Sequence, residues 1–211
     1  MTKVKICCIQ SIAEAQLVIE NGAYAIGLVS KMPSGPGVIS EAKIREIAEW
    51  APDNIKTVLL TSLQNVNEII EQQRYCQTNT IQLVDYQNIK TYLILKKELP
   101  KVTLIQVIHV LDDDSITESV EISKYVDMLL LDSGNPNLET KELGGTGKTH
   151  NWKISREIVN QVGIPVFLAG GLNPENVSKA LKIVKPFGLD VCSGVRRDGK
   201  LDAVKVNRFI Q

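Results

Sequence analysis

The chain has no excess of charge, with 24 Lys+Arg against 24 Asp+Glu in 211 residues. That argues against a protein held to nucleic acid or anionic lipid by bulk charge, because such binding needs a basic surplus. Histidine is scarce: His109 and His150 are the only two, far apart, so a His-rich metal site is not expected. There are four cysteines and no CxxC. Cys7 and Cys8 are adjacent, Cys76 sits in a helical stretch and Cys192 lies near the end. This resembles neither a zinc ribbon nor a disulfide framework. The chain opens without an apolar leader-like run, and its longest apolar runs fall well short of the roughly 20 residues of a membrane helix. A reducing cytoplasm is the expected compartment. With 44% apolar and 23% charged residues the composition is that of a folded globular chain. A chain of this size should bury roughly 70% of its unfolded surface and needs no cross-links.

Short β-rich runs alternate with helical patterns. The strand candidates are Val4–Ile9, Ala25–Val29, Thr57–Leu60, Thr80–Val84, Thr103–Val110, Met128–Leu131, Pro165–Ala169 and Gly188–Cys192. Most are continuous apolar runs, as expected of parallel strands covered on both faces. The helices between them carry start and stop signals. Ser11 caps a helix through Glu20 that ends at Asn21-Gly22, and Ser40 caps one running to Trp50. Further helices are expected over Asn65–Cys76, Asn88–Leu99, Ser115–Tyr125 and Trp152–Gln161, then from Asn173-Pro174-Glu175 to Lys185, and over Leu201–Ile210. Eight strand–helix pairs without a linker predict an α/β fold, a (β/α)8 TIM barrel forming one domain over residues 1–211. An open doubly wound sheet is the alternative. The barrel places any chemistry at the C-terminal strand ends.

Three segments at those ends are glycine-rich: Gly144-Gly145-Thr146-Gly147-Lys148-Thr149, Ala169-Gly170-Gly171-Leu172-Asn173 and Cys192-Ser193-Gly194-Val195. Glycine allows close backbone approach, free N–H groups bind anions, and the last two loops of a barrel often hold phosphate. The alternative for each glycine is a tight turn only. The GKT ending is not a nucleotide loop, since Glu142 stands where that motif needs glycine and no strand directly precedes it. Two strand-end groups suit acid–base work. Cys7 is a base if its thiolate is favoured, and Asp132, after three leucines, is an acid if burial keeps its proton. Each has a plainer alternative, an inert buried thiol and a turn cap. Gln10, Cys8, Asp85 and His109 are weaker candidates, and His109 reads best as a satisfied core residue.

Lys5-Ile6-Cys7, Leu130-Leu131-Asp132, the Gly144–Thr149 segment followed by Trp152, Ala169–Val177 and Asp190–Val195 together resemble the phosphoribosylanthranilate isomerase family, in order along nearly the whole chain. The resemblance implies a cofactor-independent Amadori rearrangement of N-(5'-phosphoribosyl)anthranilate to 1-(2-carboxyphenylamino)-1-deoxyribulose 5-phosphate in tryptophan biosynthesis. It implies that Asp132 is the acid that opens the furanose ring and Cys7 the base that takes the C2' proton. Phosphate would be held around Gly145, Gly147, Gly170, Gly171, Ser193 and Gly194, with Asp190 and Gln82 near the sugar and the rest of the substrate. No metal and no macromolecular partner is implied, only a small phosphorylated substrate. The chain departs from the family pattern at several positions. Cys8 replaces a glycine, Gln10 a threonine, and Gln82-Leu83-Val84-Asp85 lacks the histidine of the family's QLHG. The loop Pro33–Ile39 lacks the arginine that pairs with the anthranilate carboxylate, and Arg196 replaces a glutamate. Arg196 is the candidate substitute for the missing clamp. The alternatives are an isomerase or related enzyme for another phosphorylated sugar, or a non-catalytic barrel that binds a phosphometabolite.

Overall fold

The computed structural model describes residues 2–145 and 147–211. Eight strands form a closed barrel in sequence order: β1 (Lys3–Ile6), β2 (Ala25–Val29), β3 (Lys56–Thr61), β4 (Thr80–Leu83), β5 (Thr103–His109), β6 (Met128–Asp132), β7 (Val166–Leu168) and β8 (Gly188–Val191). All neighbouring pairs are parallel, and β1 closes the ring on β8 with Lys5 opposite Asp190 and Ile6 opposite Val191. The expected barrel is borne out, and the open sheet is excluded. A helix follows each strand: α1 (Ile12–Glu20), α2 (Glu41–Trp50), α3 (Val66–Cys76), α4 (Ile89–Glu98), α5 (Asp114–Ile122), α6 (Trp152–Gln161), α7 (Val177–Val184) and α8 (Ala203–Ile210).

The helix starts follow the capping chemistry. The Ser11 and Ser40 hydroxyls accept from the N–H groups of Glu14 and Lys43, and the Asn65 side chain accepts from Asn67 and Glu68. Two starts differ from expectation. α7 begins at Val177, four residues after Asn173, because the Asn173 side chain accepts from the N–H groups of Glu175 and Asn176 and holds a turn there. α5 begins at Asp114 and ends at Ile122, so Tyr125 lies beyond it. Between β8 and α8 the chain makes a 3-10 turn (Ser193–Val195) and a small hairpin, β9 (Arg196–Arg197) with β10 (Lys200–Leu201), in place of the expected earlier start of the last helix.

Two apolar clusters divide along the strand parity. Ile6, Ile26, Leu28, Leu59, Ile81, Leu83 and Leu131 point outward and pack with helix residues such as Ile44, Ile47, Ile69 and Ile158. Ala25, Val29, Val58, Leu60, Ile105, Val107, Leu130 and Phe167 fill the barrel interior. Because strand side chains alternate, the same inward parity carries Lys5 and Cys7 on β1, Gln82 on β4, His109 on β5, Asp132 on β6 and Asp190 on β8. The polar interior residues are thus stacked above an apolar plug, toward the C-terminal mouth.

One expectation is corrected here. Cys8 and Cys192 form a disulfide, with Cα atoms 5.9 Å apart. They lie 184 residues apart in sequence, and only ring closure makes the ends of β1 and β8 neighbours. Cys7 and Cys76 remain free and buried.

Candidate active site

A cavity opens at the C-terminal mouth of the barrel. Cys7, Gln82, Asp132, Asp190, Gly145, Gly147, Gly170, Gly171 and Ser193 line it, so the strand-end residues singled out from the sequence share one pocket. Its remaining wall is apolar, from Val29, Met32, Leu60, Val84 and Leu143. Thr146 of the glycine-rich segment lies outside the described residues. An apolar wall facing a few polar groups is the usual make-up of a small-molecule site.

The two candidate proton-transfer groups are set by burial. Asp132 is buried at the end of β6, and burial raises its pKa above the ordinary carboxylate range. The Ser133 N–H donates to its Oδ1 at 2.7 Å and opposes that shift, as does His109, its register neighbour on β5. Burial also pushes the Cys7 thiol up, to about 11, while Lys5 pulls it down and Asp190 pushes it up. Lys5 is 1% exposed and donates to Asp190 Oδ1 at 2.9 Å. Burial disfavours its charge, but Asp190 and Cys7 together hold its pKa above the ordinary lysine value. The Gln82 Oε1 is buried without a hydrogen-bond partner among the described residues, and so is free to accept from a ligand.

The glycine-rich rim is tightly packed. Ser193 enters the 3-10 turn beside the cavity. Gly194 lies just behind it and does not line the cavity; a Cβ at Gly194 would sit 1.9 Å from the Leu172 carbonyl oxygen. That close approach presses the loops after β7 and β8 together. His150 stands 3.0 Å from where a Gly170 Cβ would be, and burial lowers its pKa to about 4. It therefore adds no positive charge to the rim at neutral pH.

Arg196 is not among the lining residues. Its guanidinium donates to Glu14, the Cys8 carbonyl and the Gly199 carbonyl, and its side chain is largely buried in that pairing. It fastens the hairpin after β8 to the start of α1, which leaves it unable to substitute for a carboxylate clamp. No lysine or arginine is among the lining residues described. Instead the β2–α2 loop crosses toward the β6–α6 loop, where the Ser34 hydroxyl donates to the Lys141 carbonyl at 2.6 Å. Lys141 in turn pairs with the buried Asp85 at 2.5 Å, so Asp85 ties the mouth together. His109 Nε2 lies 2.9 Å from the Val84 carbonyl, in keeping with a core role.

Sequence reasoning overlooked Lys5 as part of the site, although it lies two residues from Cys7 on the same strand face. The cavity's apolar wall was also missed, since no motif marks it.

Comparison with known proteins points to one family. Residues 4–211 match the family model described as N-(5'phosphoribosyl)anthranilate (PRA) isomerase. Among curated proteins, N-(5'-phosphoribosyl)anthranilate isomerase 2 of Methanosarcina mazei is 33% identical over 99% of this chain and 92% of its own length. The isomerase of Methanocella arvoryzae is 32% identical over 100% of this chain and 97% of its own. Among solved structures, the enzyme from Thermotoga maritima superposes with a TM-score of 0.84 at 30% identity, covering 100% of this chain and 97% of that one. A phosphoribosyl anthranilate isomerase in complex with reduced 1-(o-carboxyphenylamino)-1-deoxyribulose 5-phosphate superposes with a TM-score of 0.81 at 27% identity, with the same coverage.

Proposed function

The chain belongs to the N-(5'-phosphoribosyl)anthranilate isomerase family, enzymes of tryptophan biosynthesis that carry out an Amadori rearrangement, and from that premise we propose that Asp132 is its proton donor and Cys7 its proton acceptor. The observation that carries the assignment is that a buried carboxyl and a buried thiol, both raised by desolvation, line one cavity. A raised carboxyl keeps a proton to give, as ring opening requires.

Asp132 delivers its proton to the furanose ring oxygen as the C1'–O bond breaks, and the nitrogen lone pair forms the C1'=N bond. Asp132 is left as a carboxylate and the substrate as an iminium. The Cys7 thiolate then takes the proton from C2'. That electron pair forms the C1'=C2' bond, and the C=N pair returns to nitrogen. The enolamine gains a proton at C1' and loses one from the C2' hydroxyl, giving the ketone.

The phosphate lies among the main-chain N–H groups around Gly145, Gly147, Gly170, Gly171 and Ser193, with Gly194 behind Ser193. Asp190 faces the sugar, and the Gln82 Oε1 accepts from the substrate amine. The aromatic ring lies against Val29, Met32, Leu60, Val84 and Leu143, its carboxylate toward the main chain of the β2–α2 loop. Anchoring the phosphate supplies remote binding energy that holds the open-chain intermediate in place. A cytoplasmic location belongs to the same reading; no described helix is long and apolar enough to cross a membrane.

Cys7→Ala and Asp132→Asn are each expected to lower kcat by about 10²- to 10⁴-fold with the reduced product analogue still bound. Steady-state assay on generated phosphoribosylanthranilate measures this. A folded variant of either kind that keeps activity within tenfold of the parent would exclude that residue from the chemistry.

A further inference from the structure

A lysine inside a barrel is expensive. Its ammonium has three donors and loses its hydration on burial. Lys5 gives one hydrogen bond to Asp190 across the β1–β8 seam, and its positive charge acts on the Cys7 thiol two residues further along the same strand. The facing strand β2 has a glycine at this level. A Cβ at Gly27 would lie 2.7 Å from Cys7 Sγ and 3.2 Å from Lys5 Nζ. Gly27 does not have a positive φ, so its backbone does not call for glycine; the space does. The missing side chain leaves room for sulfur and ammonium side by side.

We propose that Lys5 is a positioning residue for the base, its ammonium stabilising the Cys7 thiolate while Asp190 balances its charge, with Gly27 kept as glycine to admit the contact. The inference deepens the assignment of Cys7 as proton acceptor and rests on it. A neutral Lys5–Asp190 pair beneath the sulfur gives the thiolate a nearby positive charge without leaving a net charge buried once the thiol has taken its proton. Without that charge, burial would hold the proton on the thiol still more tightly.

The charged and titratable groups around the sulfur are Lys5 on its own strand, Asp190 on β8, and Asp132 across the cavity on β6, which in turn faces His109 on β5. β2 contributes no charge at this level. Of these groups, Lys5 alone is a cation beside the thiol.

The test is the reactivity of the thiol itself, so it does not depend on whether Cys7 is the base. Carbamidomethylation of Cys7 by iodoacetamide, an uncharged reagent, is followed by mass spectrometry of its peptide at pH 8, where the rate is proportional to the thiolate fraction. Lys5→Met is expected to slow it more than fivefold, and Lys5→Arg to restore most of the rate. Should Lys5→Met fail to fold with Asp190 left unpaired, Lys5→Met/Asp190→Asn removes both charges and is expected to be slowed more than fivefold relative to Asp190→Asn alone, the comparison that cancels the upward push of Asp190. A folded variant lacking Lys5 that is slowed less than fivefold overturns the proposal; a lysine that only held the seam together would change thermal stability and leave the rate alone. Loss of activity in Cys7→Ala with an unchanged thiol rate in Lys5→Met would uphold the base and reject its partner. The reverse result would reject the base and keep the pair.

Discussion

At the scale of single residues, the acid and the base are both shifted upward, and this sets the expected pH dependence. Turnover needs Asp132 protonated and Cys7 ionised. Burial raises the Asp132 pKa and pushes the thiol to about 11, so the acid loses its proton before the base does. Between the two ionisations the productive form keeps a constant small share. Below the Asp132 midpoint that share falls as the thiolate is lost, and above about 11 it falls as the last Asp132 protons leave. The expected profile of kcat/KM is therefore level from the Asp132 midpoint upward, with its alkaline limb near 11. A limb centred near the ordinary thiol value of about 8.5 would show that the structure's burial of Cys7 is not what sets its ionisation. Cys7 and Asp132 could be read from the sequence because each stands at the end of an expected strand. Lys5 could not, since an isolated lysine near the start of a strand reads as a solvent-facing residue. Its role exists only where Asp190, 185 residues away, comes to lie opposite it.

At the scale of elements, the rim is built from loops rather than from helices, and its precision comes from close main-chain contacts. The 3-10 turn Ser193–Val195 sits so near the loop after β7 that Gly194 has no room for a methyl group. Gly194→Ala should force the two loops apart, at a cost of about 1–3 kcal/mol as overpacking usually does. It should raise KM for the phosphorylated substrate more than it lowers kcat. Thermal denaturation and steady-state kinetics measure both; an unchanged KM would mean that this turn does not shape the phosphate site. The helices were the most legible elements, because the side chains of Ser11, Ser40, Asn65 and Asn88 announce their starts through local hydrogen bonds. The β9–β10 hairpin was less so. Its Asp198-Gly199 turn, with both residues at positive φ, is a hairpin signal, but strands of two residues carry no periodicity to accompany it. Arg196 illustrates the consequence. It follows the glycine-rich segment in sequence, yet the hairpin turns it back onto Glu14 and away from the cavity.

At the scale of the whole molecule, ring closure joins what the sequence separates. The order and number of strands were legible, since each strand–helix pair repeats a local pattern. That β1 meets β8 follows from a closed barrel, but which side chains pair across that seam was not legible, because no local pattern reports its register. That seam holds the Lys5–Asp190 pair, the base and the Cys8–Cys192 disulfide. The disulfide has a conformational counterpart: Cys8 has φ +64°, in the left-handed region, at the position where the family pattern has glycine. Two opposing effects follow. The cross-link closes a loop of 184 residues, and in the chain-entropy model restrains the unfolded state by up to about 5 kcal/mol. The left-handed cysteine costs about 1 kcal/mol that a glycine would not. Adding reductant should lower the denaturant midpoint of the parent protein. In that same reductant Cys8→Gly should be more stable than the parent by about 1 kcal/mol, whereas without reductant it should be the less stable of the two. Urea unfolding of both proteins under the two conditions decides it. If reductant leaves the parent's midpoint unmoved, the cross-link does not contribute to holding the ring closed. If Cys8→Gly is destabilising even in reductant, the side chain at position 8 contributes packing beyond its sulfur bond.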